Sequence, residues 1–135
     1  MTLQLSVAAR NARLDAIETA IGASAILKIR TGAAPATCAT ADSGTVLATC
    51  TLPSDWMAAA SSGSKAKSGT WEDTSADASG TAAHFRLYAS DGTTCHAQGT
   101  VTATGGGGDM TVDNVVFAAT QAFTVTGFTL TDGNA

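Results

Sequence analysis

Two alternating runs joined at Ser90-Asp91-Gly92 set the terms for this fold. In the first, Ala83, Phe85, Leu87 and Ala89 share one phase while His84, Arg86 and Tyr88 share the other. In the second, Cys95, Ala97, Gly99, Val101 and Ala103 alternate with His96, Gln98, Thr100, Thr102 and Thr104. Period two is the signature of a strand with one buried face. A slip of one residue sends a whole apolar set to solvent, so both apolar sets must end on the same side of the hairpin. A two-residue Asp91-Gly92 loop sets Leu87 against His96 and is excluded on that ground. A three-residue loop, with Gly92 in the left-handed conformation, pairs Leu87 with Cys95 and Phe85 with Ala97. That register places His84 and His96 on the polar face, diagonal to each other.

The 135 residues suffice for one domain with a real core. Only 5% are aromatic, and Ala, Thr, Ser and Gly fill the chain, so each large apolar side chain carries more than its usual share of burial. Residues 6–21 read as the single long helix, capped by Ser6 and ended by Gly22. Leu3, Val7, Arg10, Leu14, Ile17 and Ile21 recur at spacings of four and three, a heptad-like stripe that suits either the helix's own domain or a neighbouring subunit. The organisation expected is an N-terminal helix over 1–22, used for attachment or oligomer contact, and a β-sandwich over 23–135.

Within that second part, residues 25–31 and 44–52 pattern as strands, and Pro53 closes the latter. Ser54 then caps a single helical turn over 55–60. Residues 65–71 read as an edge strand whose lysines, Lys65 and Lys67, discourage unwanted pairing. Gly105 to Gly108 is a flexible turn; no Lys-Ser or Lys-Thr follows, so it is not a phosphate loop. Residues 110–112 and 115–118 are short strands. The last strand, 121–131, needs a bulge at Gly127 to bring Phe123, Val125, Phe128 and Leu130 to one face. Seven or eight strands give a mainly β fold, an antiparallel β-sandwich of jelly-roll type with one N-terminal α-helix.

The chemistry expected is spare. A net charge of −4, with no cluster of Lys and Arg, argues against nucleic acid. No apolar run approaches the ~20 residues of a membrane span, and the first residues lack a signal-peptide pattern. Cys38, Cys50 and Cys95 are odd in number and form no CxxC, so they read as small hydrophobes in a reducing compartment rather than as disulfide or zinc residues. His84 and His96 lack a third metal ligand. Cys95 and His96 point to opposite faces, so they do not make a nucleophile and base. The carboxylates sit mostly at turns. No catalytic, metal or cofactor residue is expected; an enzyme would need a pocket converging on His84, His96 and a carboxylate.

Across Ala9-Arg-Asn-Ala-Arg-Leu-Asp-Ala-Ile-Glu-Thr-Ala-Ile-Gly22, Leu52-Pro-Ser-Asp-Trp-Met-Ala-Ala-Ala60, Lys65-Ala-Lys-Ser-Gly-Thr-Trp71 and Gly107-Gly-Asp-Met-Thr-Val-Asp-Asn114, the chain resembles small structural proteins of tailed bacteriophages and prophages. The resemblance implies a virion part made in the host cytoplasm, and the size and expected architecture suit a capsid decoration (cement) protein. The partners expected are the major capsid protein or other virion proteins, with a homo-oligomer, trimer favoured. Leu3, Val7, Arg10, Leu14, Ile17 and Ile21 are then the candidate subunit or capsid contacts, with Trp56 and Trp71 as anchors. The competing reading is a fibre, collar or tail-associated module with a host-glycan site, for instance at Trp71 beside Glu72 and Asp73.

Overall fold

The computed structural model describes residues 2–134. Helix α1 spans Val7–Ile21, begins where the Ser6 Oγ accepts the Ala9 N–H at 3.2 Å, and ends where the Gly22 N–H donates to the Glu18 carbonyl at 2.9 Å. Gly22 takes φ +92°, a left-handed value that glycine adopts without a Cβ penalty. The strands are β1 (Ile26–Arg30), β2 (Val46–Thr51), β3 (Ser64–Ala66), β4 (Glu72–Asp73), β5 (Gly80–Thr81), β6 (His84–Tyr88), β7 (Cys95–Ala103), β8 (Met110–Val112), β9 (Val116–Phe117) and β10 (Phe123–Thr131). One sheet runs in the order β2-β1-β6-β7-β8-β10-β3, with β4 added on β10; β5 and β9 pair separately. The protein is mainly β, a sandwich-like fold made by one curled sheet with the helix at its N-terminus.

Alternation explains which side of the sheet is core. In the β1–β6 register Ile29 faces Phe85 and Leu27 faces Leu87, so their side chains project to one face, while Lys28–Arg86 and Arg30–His84 project to the other. Inside the curl, Trp56 and Trp71 stack at 5.9 Å, Trp71 meets Phe128 at 5.6 Å, and Phe128 meets Phe85 edge-on at 5.6 Å. These four rings are buried and form the spine of a core otherwise built from small and branched side chains. Each such ring withdraws about 150–250 Å² from water on folding, the largest single contributions a chain with few aromatics has available.

Four expectations are revised. The hairpin pairs Leu87 with Ala97 and Phe85 with Gly99, two residues beyond the expected partners; a shift of two keeps the apolar sets inside except for Cys95, which a register shift sets opposite Tyr88. The wider turn is organised by Asp91, whose carboxylate accepts the Thr93 and Thr94 N–H groups at 2.9 Å each. Residues 55–60 form no helical turn. They run extended, with Met57 bridged to Lys67, and the Ser68 N–H donates to the Trp56 carbonyl. The sheet is mixed: β7 and β8 are parallel, joined within a few residues. The glycine run makes that connection, and it is packed. A Cβ on Gly106 or Gly108 would come within 2.7–2.8 Å of the Thr102 side chain, so the chain folds back flat against β7 only with glycine there. The bulge expected at Gly127 is present, between Val125 and Gly127 opposite β8.

Candidate functional site

The face carrying His84, Arg86 and Tyr88 was expected to be open and polar, yet all five residues of β6 are buried. Residues 31–45 lie across it as a covering loop. Arg86, 1% exposed, reaches up into that loop: Nη2 donates to the Cys38 carbonyl at 2.8 Å and the Thr37 carbonyl at 3.3 Å, and Nη1 donates to the Thr40 carbonyl at 3.1 Å and to the Asp42 carboxylate. Arg30 donates to Asp42 at 2.8 Å, and the Tyr88 hydroxyl donates to the same carboxylate at 2.7 Å. The His84 Nδ1–H donates to the Gly32 carbonyl at 2.6 Å, and the Gln98 amide donates to the Pro35 carbonyl at 2.5 Å. An isolated buried guanidinium is costly; here loop carbonyls and one carboxylate take up both terminal nitrogens, leaving only the buried Nε without a partner.

The electrostatics follow the geometry. Burial works against ionisation of Asp42, but the Tyr88 hydroxyl, Arg30 and Arg86 outweigh it and hold the carboxyl below its usual range. Burial and the bond to Asp42 push the Tyr88 phenol up to about 12. Burial opposes the charge on Arg86 as well, and its hydrogen bonds to Cys95 and Asp42 more than offset this. The terminal nitrogens of Arg86 are spent on holding a loop in place, which is positional work.

The histidine pair does not assemble. His84 is buried opposite Thr100, whereas His96 is exposed and four residues along β7, about 13 Å away at strand spacing. Among the described residues, no group of three or more His, Cys, Asp or Glu side chains is placed to hold a metal. No helix among the described residues is long and apolar enough to cross a membrane.

The helix residues divide into two sets. Leu14 and Ile21 are buried against the domain, and Arg10 donates to the Asp132 carbonyl at 3.1 Å. Leu3, Val7 and Ile17 are 76%, 48% and 39% exposed. Trp56 and Trp71 are fully buried in the domain's own core, so neither serves as an anchor for a partner, and Trp71 cannot offer a glycan a face. The Trp56 Nε1–H donates to the Gly22 carbonyl at 3.0 Å, tying the core to the end of α1.

The docking of α1 is largely polar, which its apolar stripe did not reveal. Lys65, an expected edge-strand lysine, is 2% exposed and turns inward to Asp15 at 2.7 Å, Glu18 at 2.9 Å and the Ala58 carbonyl at 2.9 Å. Asn11, Asp15 and Glu18 also accept the backbone N–H groups of Gly63, Ala60 and Met57. The signal for this was available: Asn11, Asp15 and Glu18 recur at spacings of four and three beside the apolar stripe.

The surface formed by the described residues includes two depressions of note. One, of about 440 Å³, lies between α1 and the 54–59 segment, among Asp15, Glu18, Asp55 and Met57. The other, of about 540 Å³, sits over β7, β8 and β10, with Phe85 and Phe128 beneath and Gln98, Asp109 and Thr111 around it.

Compared with family models, curated proteins and solved structures, the chain matches none.

Proposed function

We propose that this chain is a non-enzymatic structural protein of a tailed-phage virion, a capsid decoration protein that binds the head lattice as a homo-oligomer, trimer favoured. The observation that carries the reading is the distribution of exposed apolar side chains. Of the large ones exposed among the described residues, Leu3, Val7 and Ile17 belong to the N-terminal segment and α1, and Val116 stands apart on β9. The helix is held to its domain by the Lys65 and Asp132 contacts, so these side chains are presented on a docked support. Many modest contacts of this kind, repeated over a symmetric lattice, add up to firm attachment. The ionisable side chains under the covering loop are committed to holding it, which suits a part whose task is to keep its shape.

The competing reading, a fibre, collar or tail-associated module with a host-glycan site, draws its support from the depression over β7, β8 and β10, bordered by the polar side chains of Gln98, Asp109 and Thr111. Electron microscopy of particles carrying labelled protein separates the two. Labels spread over the whole head in lattice numbers are the expected result; a few labels at one vertex or on the tail would overturn the decoration reading.

A further inference from the structure

Strand β8 fills only part of the space between its neighbours. Its pairing stops at Met110, which lies opposite Val101 on one side and Phe128 on the other, so at that level β7 and β10 stand two strand spacings apart, about 9.5 Å. Beyond Met110 the same two strands continue with no strand paired between them among the described residues. The depression of about 540 Å³ lies there, with Ala97 and Gln98 of β7 on one rim and Thr129 and Leu130 of β10 on the other. It is a slot one strand wide.

Both rims aim main-chain groups into it. On β7 the Val101 N–H donates to the Ala83 carbonyl on the β6 side, whereas the Thr100 N–H points the opposite way and is met by the Asp109 carboxylate at 2.9 Å. Alternation sends the Gln98 N–H and carbonyl the same way as Thr100. On β10 the Phe128 carbonyl accepts the Lys67 N–H and the Asp132 N–H donates to the Gly63 carbonyl, both on the β3 side, so the Thr129 carbonyl and the Thr131 N–H face the slot. An unpaired strand edge is a template for another chain, and here two edges face each other. Ala97 and Leu130 pack against the core but are only partly buried, which leaves apolar surface for a guest side chain to cover.

Charge says what kind of chain fits. Asp109 stands at the Met110 end with Oδ2 taken by the Thr100 N–H and hydroxyl, and among the described residues no cation pairs with it. The seven Lys and Arg side chains of this protein are all engaged within their own domain. Arg10 and Arg13 meet Asp132, Arg30 and Arg86 meet Asp42, and Lys65 meets Asp15 and Glu18. Lys28 and Lys67 donate to the Gly92 and Gly69 carbonyls. A second copy therefore has no cation to offer Asp109.

We propose that the slot between β7 and β10 receives an extended segment of another protein, about five residues long, which completes the sheet and carries a Lys or Arg at its Asp109 end. Because β8 is parallel to β7 and antiparallel to β10, the guest pairs parallel with one rim and antiparallel with the other whichever way it enters. Its alternate side chains fall over Ala97 and Leu130, where β-branched residues suit the pleat. The inference does not depend on the virion reading, and it gives the depression an occupant different from the glycan of the competing reading.

The test uses the full chain and capped pentapeptides, Thr-Val-Thr-Val-Lys and Lys-Val-Thr-Val-Thr, one for each strand direction, with amide exchange followed by NMR. In the chain alone the Gln98 and Thr131 amides should exchange freely. One of the two lysine peptides should bind saturably at one per chain and slow both amides about tenfold. Its counterpart with Glu for Lys should bind roughly fivefold more weakly, and one with Pro for the central Thr, which lacks an N–H for the rim, should not protect them. Asp109→Asn keeps an acceptor for Thr100 and should bring the Lys and Glu peptides to equal affinity. Failure of both lysine peptides to saturate, equal binding of the Lys and Glu peptides to the unaltered chain, or protection of these amides by maltotriose in place of the peptides would each overturn the proposal. So would slow exchange at Gln98 and Thr131 that disappears on dilution of the chain alone, since a second copy would then hold the slot. The peptide series on the unaltered chain decides the matter even if Asp109→Asn does not fold.

Discussion

Asp42, Tyr88, Arg86 and Lys65 are the side chains on which the buried polar architecture turns. Tyr88 is the only tyrosine in the chain, so its titration can be followed by phenolate absorbance without interference from others. Its phenol should ionise at about 12 in the folded protein, against an ordinary value of 10.0. The sign is that of a raised pKa: the folded state binds the proton more tightly than the unfolded one, so stability is fully present below pH 10 and is lost as pH rises toward 12. A phenol titrating at its ordinary value in the folded protein would mean that Tyr88 is neither buried nor bonded to Asp42. Lys65 is a second single-residue test. Lys65→Ala leaves Glu18 and Asp15 without their cation; Asp15 is half exposed and recovers solvation, so the cost is about 2 kcal/mol rather than the larger loss of a fully enclosed pair. Denaturant unfolding should show that loss, with hydrogen exchange in α1 rising relative to the β strands.

Individual elements show where reading the sequence succeeded. The helix ends, the bulge opposite β8 and most strands were legible because their signals are local: a capping serine, a terminal glycine, a phase change across Gly127. The hairpin was legible in most of its faces but not in its exact pairing, since a register moved by two preserves the inside and outside assignments from Ala97 onward, and only the register shift beside Tyr88 takes Cys95 out of the inside set. What decided it was Asp91, one carboxylate gathering two backbone N–H groups and the Thr94 hydroxyl. The glycine run misled more, because flexibility and close approach ask for the same residue. Gly106→Ala distinguishes them. Its Cβ would meet the Thr102 side chain at 2.7 Å and the Ala103 carbonyl at 3.0 Å, and the variant should lose about 2 kcal/mol in chemical denaturation. A neutral outcome would return the run to the status of a loose linker.

The whole molecule is a curled sheet with polar fittings on two sides: α1 against the 57–66 segment, and the covering loop against β1, β6 and β7. Neither fitting could be foreseen from hydrophobic pattern, because both are made by charged side chains meeting backbone carbonyls and N–H groups far away in sequence, as Arg86 meets the Thr37 carbonyl and Asp15 the Ala60 N–H. The candidate site was less legible still. Trp56 and Trp71 drew attention as large residues in a chain of small ones, and they answer the needs of the core instead. Half of the apolar stripe on the helix does the same through Leu14 and Ile21. What remains free is narrower and sharper: Leu3, Val7 and Ile17. Removing the helix altogether would uncover Trp56 and strand Lys65, so attachment is best tested with point changes at exposed positions. The decisive measurement for the proposed decoration role is co-sedimentation of the full chain, and of a Leu3→Asp, Val7→Asp variant, with heads of the phage or prophage that the proposal requires to encode it. The account predicts saturable binding at lattice stoichiometry for the parent, and at least a tenfold weaker affinity for the variant at an unchanged Tm. Equal binding by the two proteins, or no binding to heads by the parent, would contradict it.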